Sequence, residues 1–512
     1  MSTPRPGRPR RLPAVAVVVV LLGLAGVANA TMRARPTPPG RSRATTAAGA
    51  ERSMTVASSS VASTAWYCAG PLPVGRGPQA SSIAVANVGD RPARGQLILT
   101  STRGQRRTTA ITVGAHADAV YGLPRTGAGA NAAVTVLVDT ATVGVQEIVH
   151  GGTGPMAARC AVATGHTSYL AEGSTRGAAN VALAIYDPGA TPAVASVTFA
   201  TSGGGVTPPA FQGIDVAPGG LVVLDVGHEV PSQLAVASTV VSTGGGVVVG
   251  AVIDAVVDHH LLTSLAGGSP AAARRWQLAA APLSTSAGQG FSVLDPTSRP
   301  ARIKISLAGT SPRMAAGELT TEVPAGAVVD VAPAALPGRS SAGATVTATG
   351  APVVVGRELA TVAAPPSGGA TDRPGSHPTI HAVHQRRLPA LLALPSLPTG
   401  FAAGSGTTAA YRRWLLVGGE VDARVGDVVS LTDPGRRPAV VRLTTLTGTL
   451  VAPELTVAPG TSRVVTVRVP TGATGNLTLL ATATRSVVAG ELLYGTGATG
   501  LGVTTWTGIP IG

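Results

Sequence analysis

The stretch "LTDPGRRPA" (431–439) reads as a turn between two β-strands, and it occurs in four versions. The others are "VANVGDRPA" (85–93), "IYDPGATPA" (185–193) and "VLDPTSRPA" (293–301). Each opens on Asn87, Asp187, Asp295 or Asp433 and ends in Pro-Ala. The chemistry suits a turn: an Asx oxygen caps it, Pro presets φ, and Gly accepts φ > 0. The closing Pro keeps the next strand from starting early. An acid that recurs once per structural repeat reads as a turn cap, not as a catalytic residue. The phrase is expected to sit on the surface and to join two neighbouring antiparallel strands.

Working outward, other elements recur in the same order. An aromatic residue begins each copy: Trp66, Tyr169, Trp276 and Trp414. Apolar runs flank each turn, such as "VALAIY" before and "VASVTFATS" after. A strand–turn–strand follows, as in "IDVAPGGLVVLDV" (214–226) and "LTVAPGTSRVVTV" (455–467). A last run closes each copy: "TVGVQEIV", "GVVVGAVI", "PVVVGREL" and "SVVAGELL". Each unit is therefore about 85–90 residues with six or seven short strands, the size of an immunoglobulin-like sandwich. The expected fold is all-β, a tandem array of about four such units. The alternative is a β-propeller, re-cutting the strands into seven four-stranded blades.

The boundaries read from these elements are 64–160, 161–268, 269–363 and 409–512 for the four β units. Residues 364–408 are a Pro/Gly/His-containing linker or long loop between the third and fourth. Residues 31–63, rich in Pro, Ser, Thr and Arg, read as a disordered tether. At the N-terminus four arginines precede "LPAVAVVVVLLGLAGVANA", which ends in Ala28-Asn29-Ala30. That pattern makes residues 1–30 a secretory signal peptide or a retained membrane anchor, and places the rest outside the cytoplasm.

The chain has 512 residues and a formal charge of +14, with Lys304 its only lysine. The arginine pairs are scattered and mostly lack neighbouring aromatics, which argues against nucleic acid as a partner. The two cysteines, Cys68 and Cys160, form most simply one disulfide in an exported chain. Two free thiols or a metal pair are the rival readings, and neither cysteine has a second ligand at short spacing.

No catalytic constellation emerges. Gly-x-Ser-x-Gly and His-Glu-x-x-His are missing from the sequence. His377, His381 and His384 fall in the Pro-interrupted loop and read as solvated, and His259 and His260 point to opposite faces of a strand. Glu358 and Glu491 take equivalent places in their closing strands, with Glu147 one residue earlier. Nothing pairs them as glycosidase carboxylates. No cofactor is expected.

The assembled pattern resembles a family of exported actinobacterial proteins known only as a domain of unknown function. The carrying residues are "WYCAG" (66–70), "SYLAEGSTRGAANVALAIYDPG" (168–189) and "APVVVGREL" (351–359). The chain departs from the pattern where Ser168, not Trp, precedes Tyr169, and where "VANVG" lacks the turn Pro. The expected function is that of a non-enzymatic cell-envelope protein, a scaffold or protein-interaction module. Its partner would be an envelope protein or cell-wall polymer, with membrane contact only through the N-terminal segment. The alternative is a cell-wall glycan-binding module.

Overall fold

Each copy of the turn carries the chain from one β-sheet into the sheet that faces it. The computed structural model describes residues 64–72, 80–123, 131–151, 154–283, 287–310, 318–333, 341–363, 397–421, 425–467, 475–495 and 502–511. The stretches read from the sequence as a signal or anchor (1–30) and a tether (31–63), and the three loop histidines, lie outside these. No helix among the described residues is long and apolar enough to cross a membrane.

Unit one contains β1 (Thr64–Leu72), β2 (Ala80–Asn87), β3 (Ala93–Ser101), β4 (Arg106–Val113), β5 (Ala117–Gly122), β6 (Ala132–Val138), β7 (Val143–Gly151) and β8 (Gly154–Arg159). They form two antiparallel sheets of order β1-β6-β3-β4 and β5-β2-β7-β8. Unit two runs through β9 (Thr167–Leu170), β10 (Asn180–Tyr186), β11 (Ala193–Thr201), β12 (Gly204–Val206), β13 (Ile214–Val216), β14 (Leu221–Asp225), β15 (Val236–Gly244), β16 (Val248–Val257) and β17 (His260–Gly267). Its sheets are β12-β11-β15-β9, with β13 also on β11, and β14-β10-β16-β17.

Unit three has β18 (Arg275–Pro282), β19 (Ala287–Leu294), β20 (Ala301–Gly309), β21 (Glu318–Val323), β22 (Val328–Val331), β23 (Ser341–Thr349), β24 (Val354–Thr361) and β25 (Gly400–Ser405). The sheet orders are β18-β23-β20-β21 and β22-β19-β24-β25. Unit four has β26 (Tyr411–Val421), β27 (Val425–Thr432), β28 (Ala439–Thr445), β29 (Leu455–Val457), β30 (Ser462–Thr466), β31 (Gly475–Gly495), β32 (Val503–Thr507) and β33 (Ile509–Pro510). Here β31 is one 21-residue strand that passes from one sheet into the other, standing for the sixth and seventh strands of the other units.

All four units thus share one topology. The first strand lies beside the sixth, the sixth beside the third and the third beside the fourth. In the facing sheet the order is fifth, second, seventh, eighth. The apolar faces of the two sheets meet in a Val-, Leu- and Ala-rich core in each unit. The structure is all-β with sheets two to a unit, not seven blades. It corrects three expectations. The turn phrase joins strands of opposite sheets, not hydrogen-bonded neighbours. Each unit has an eighth strand. And β25, within the stretch read as linker, pairs with β24, so the insert lies inside unit three.

Register also corrects the aromatic series. Trp66, Trp276 and Trp414 pair with Val136, Val346 and Ala481 on the sixth strand, and the residue opposite the matching Val240 is Ser168. Tyr169 is one residue on and so faces the other way. Unit two supplies aromatic mass to its core instead through Phe199 and Phe211, whose rings are 5.4 Å apart.

Among the described residues the units close a ring. The eighth strands β8, β17, β25 and β32 adjoin one another in cyclic order, and each unit's first strand packs on the next unit's seventh. Thus β1 meets β16, β9 meets β24, β18 meets β31, and β26 returns to β7. Small residues let the backbones approach. A Cβ on Gly250 would lie 3.1 Å from that of Ala69, and one on Gly490 would lie 2.7 Å from that of Ala279.

The first strand would be an exposed sheet edge if the chain did not double back along it. After each eighth strand the backbone bridges to the first: Tyr67 to Ala161, Tyr169 to Ser269, Gln277 to Thr407 and Leu415 to Ile509. Immediately before the bridge, units two to four carry Gly268, Gly406 and Gly508. A Cβ on Gly406 would come within 3.1 Å of Leu278, and one on Gly508 within 2.7 Å of Leu416. In unit one the same two positions are Cys68 and Cys160, joined in a disulfide with Cα atoms 4.4 Å apart. A covalent bond there replaces a leucine lying over a glycine.

This substitution pattern predicts sign-reversing coupling. Cys68→Leu alone should be the least stable variant, because its side chain meets that of Cys160. Adding Cys160→Gly should recover packing as in units three and four. The double variant should still lose roughly 4–5 kcal/mol relative to the oxidised protein, the chain-entropy worth of a loop of about ninety residues. Denaturant midpoints of the two variants, compared with oxidised and reduced wild type, measure the order.

Candidate functional site: capped corners, buried acids and an axial cavity

The four Asx residues are buried: Asn87, Asp187 and Asp295 have no exposure and Asp433 has 1%. In each, Oδ1 accepts the backbone N–H two residues on. The distances are 2.9 Å from Gly89, 2.8 Å from Gly189, 2.8 Å from Thr297 and 2.7 Å from Gly435. The backbone N–H groups of Asp187, Asp295 and Asp433 donate in turn to Gly220, Ala327 and Thr461, in the turn between the fourth and fifth strands. Ala93, Ala193, Ala301 and Ala439 follow as the first, buried residues of the third strand. The residues between each Asx and its Pro are half-buried or exposed, so the turns do lie on the surface as expected. What is buried is the Asx residue itself, which holds from below the backbone N–H two residues on.

Asn87 is better satisfied than the aspartates. Its Nδ2 donates to the carbonyls of Arg91 (2.7 Å) and Gly114 (2.9 Å), whereas Oδ2 of Asp187, Asp295 and Asp433 has no hydrogen-bond partner. Burial accordingly raises these three carboxyls above the usual range, partly offset by backbone N–H groups such as those of Gly189 and Ala193.

A second set of buried ionisable groups was hidden from pattern reading, because a single Glu in an apolar run does not declare its face. Glu147, Arg357 and Glu491 lie opposite Ile83, Phe291 and Val429, each four residues before its Asx corner. These three are equivalent. Glu358 is one residue further and faces the other way, which corrects the expectation that it takes the place equivalent to Glu491. Glu147 is pushed up to about 7 by burial, which outweighs the N–H donated by Gly70. Arg357 is lowered to about 10 by burial and donates to the carbonyl of Ala279 and to Thr505 Oγ1.

At the joint of units two and three, Glu172 and Glu358 are brought together. Glu172 is raised to about 7 by burial and accepts the Ala171 N–H at 3.1 Å. Glu358 is raised to about 8 by burial, then by the charges of Asp330 and Glu172, and accepts the Gly173 N–H at 3.1 Å. A methyl on Gly356 would fall on the Glu172 carboxyl group. In unit four Asp427 and Glu491 face each other with no basic partner among the described residues, and burial raises Asp427 to about 7 and Glu491 well above its usual range.

Where the ends of the eighth strands meet lies a cavity of about 70 Å³. It is lined mainly by glycine and alanine, with Tyr67, Glu147, Arg159, Trp276 and Trp506 among the larger groups. Arg159 donates to the Gly508 carbonyl at 3.2 Å. The volume suits a few waters, not a sugar ring or a nucleotide. Among the described residues, no group of three or more His, Cys, Asp or Glu side chains is placed to hold a metal ion. His259 and His260 sit at the exposed tip of the β16–β17 hairpin, where Asp258 and His259 have φ of 48° and 65°.

Two predictions follow from this chemistry. Asp295→Ala should lower stability by on the order of 1 kcal/mol, by analogy with a lost helix cap. Asp295→Asn, restoring the donor that Asn87 has, should be neutral or better, as measured by unfolding midpoints. The buried carboxyls also set a pH dependence. Their folded pKa values near 7–8 exceed the ordinary value of 4.5 for glutamate. The folded state therefore holds protons that the unfolded chain releases, and stability is greatest below the ordinary range and falls as pH rises towards 8. The loss should be roughly 1.4 kcal/mol per pH unit for each group within that window. Thermal midpoints at about pH 5 and about pH 8.5 test the direction.

No curated protein matches the chain by sequence. Among solved structures, the tetra-tandem repeat in the extending region of a large adhesion protein aligns at 13% identity over 83% of this chain and 93% of that one, with a TM-score of 0.10. At that score the likeness carries no argument. Residues 142–362, from the seventh strand of unit one to that of unit three, match the model described as "Family of unknown function (DUF5719)".

Proposed function

We propose that the chain is a non-enzymatic extracytoplasmic protein of the cell envelope, a scaffold or protein-interaction module. The observation that carries this reading is where its aromatic side chains go. All four Trp, six Tyr and four Phe lie among the described residues, and none is exposed. Trp276 and Trp414 even spend their indole N–H on the carbonyls of Val353 and Val487, both at 2.8 Å. A glycan-binding face wants aromatic rings at the surface, and here ten of the fourteen are buried and the other four, Tyr67, Tyr121, Tyr169 and Tyr411, are half-buried. The Cys68–Cys160 bond suits an oxidising compartment.

At the level of fold we read each unit as a variant of the immunoglobulin-type sandwich. The second strand lies beside the fifth and the third beside the sixth, as B lies beside E and C beside F in that fold. The first and seventh strands have exchanged sheets, and the eighth is added towards the ring centre.

The functional reading predicts that the purified chain stays in the supernatant when mixed with insoluble cell-wall glycan, while crosslinking on intact cells yields discrete protein adducts. Co-sedimentation with the glycan that free oligosaccharide reverses would replace the scaffold reading with the glycan-binding one.

A further inference from the structure

Three joints of the ring are bridged by the peptide chain, but the joint between units four and one is closed by side chains and hydrogen bonds alone. Leu415, Val417, Leu493 and Ile509 of unit four enter the core cluster of unit one. Across the seam the Ala157 N–H donates to Thr504 Oγ1 at 3.2 Å, and a Cβ on Gly418 would lie 2.8 Å from Ile148 Cδ1.

The strand that makes this seam, β26, is irregular where it does so. Leu416 pairs with Leu479 but Gly419 pairs with Leu477, so one extra residue bulges out, and Gly418 has φ of 90°. Such bulges re-aim a strand locally. Directly behind the bulge lie the two carboxyls. A Cβ on Gly419 would lie 2.6 Å from Glu491 Oε1 and 2.8 Å from Asp427 Oδ2. Glu491 is fully buried and Asp427 is 2% exposed, and none of their four carboxyl oxygens has another donor.

Two carboxyls in contact away from water cannot both ionise cheaply, so a pair of this kind holds a proton between its members. Among the described residues the groups around them offer no relief. β31 adds the Tyr494 phenol, itself raised by burial and by Asp427. The unit-one strands packed on β31 and β26 carry Asp118 on β5, Glu147 and His150 on β7, and Arg159 on β8, and Arg159 is engaged with Gly508. β26 faces the pair with the bare backbone of Gly419.

We propose that Asp427 and Glu491 form a proton-held latch behind β26: while they share a proton the seam between units four and one is closed, and loss of that proton in alkaline solution releases β26 and opens the ring there. The latch is independent of what the ring binds.

The test is backbone amide exchange on the full chain at about pH 6 and about pH 9, each corrected for intrinsic rate. In the wild type, amides of β26 and β7 should exchange at least about tenfold faster at the higher pH. In Asp427→Asn, which cannot add a second charge, most of this difference should be lost, leaving only what ionisation of the other buried carboxyls contributes. Glu491→Gln serves in its place if that variant does not fold. Equal rates in the wild type would overturn the proposal, as would an undiminished pH response in the folded variant. Seam exchange that responds to a chelator at fixed pH would also overturn it, because a cation would then hold the carboxyls.

Discussion

A chain that leaves one sheet for the sheet facing it needs its corner held, and in all four units a buried Asx side chain beneath an exposed turn does so. Losing such a cap costs on the order of 1 kcal/mol, by analogy with helix caps. Asn87, Asp187, Asp295 and Asp433 meet that need with one side-chain oxygen each. Everything else in a unit follows from the crossing. It sets the second strand in one sheet and the third in the other, so that the hairpin of fourth and fifth strands must also cross. The turn of that hairpin accepts the corner's own N–H in units two to four.

Ring formation rests on a different constraint, the closeness of backbones at the joints. Ala69 over Gly250 and Ala279 over Gly490 are tight contacts between small residues. Where the rule is broken, a polar group appears. Glu172 lies over Gly356 at the second joint, and at the fourth Gln146 stands where the other units have glycine, with neither polar atom of its amide partnered. The joints therefore differ in chemistry although the units share one topology. Three are tied by peptide, and the fourth must be held by packing.

Much of this was legible in the sequence because turn chemistry is local. The Asx-to-Pro-Ala phrase, the hairpin and the closing strand each announce themselves within a dozen residues. Sheet membership is not local. "VALAIY" and "VASVTFATS" read as a hairpin pair because nothing in either says that they face different partners. Two of the eighth strands were missed for a compositional reason: "GPMAAR" and "GFAAGS" lack the β-branched residues that mark strands, since crowding at the ring centre selects glycine and alanine there, whereas "VTTWT" carries them. Tyr169 misled because an aromatic one residue out of register still looks like a repeat, and only its strand partner Thr239 reveals the slip. The buried acids were visible as letters and silent as positions. Glu147 and Glu491 fall on the core face, Glu358 on the opposite one, and a period of two decides between them once the register is known.

The central claim is that unit four returns to unit one. The most direct measurement replaces Ala157 and Thr504, which touch across that joint, with a pair of cysteines and maps the resulting bonds by peptide mass. A closed ring predicts an intramolecular Ala157→Cys to Thr504→Cys disulfide beside the native Cys68–Cys160 bond. Two free introduced thiols in the folded, oxidised protein would contradict it and leave the four units as an open row.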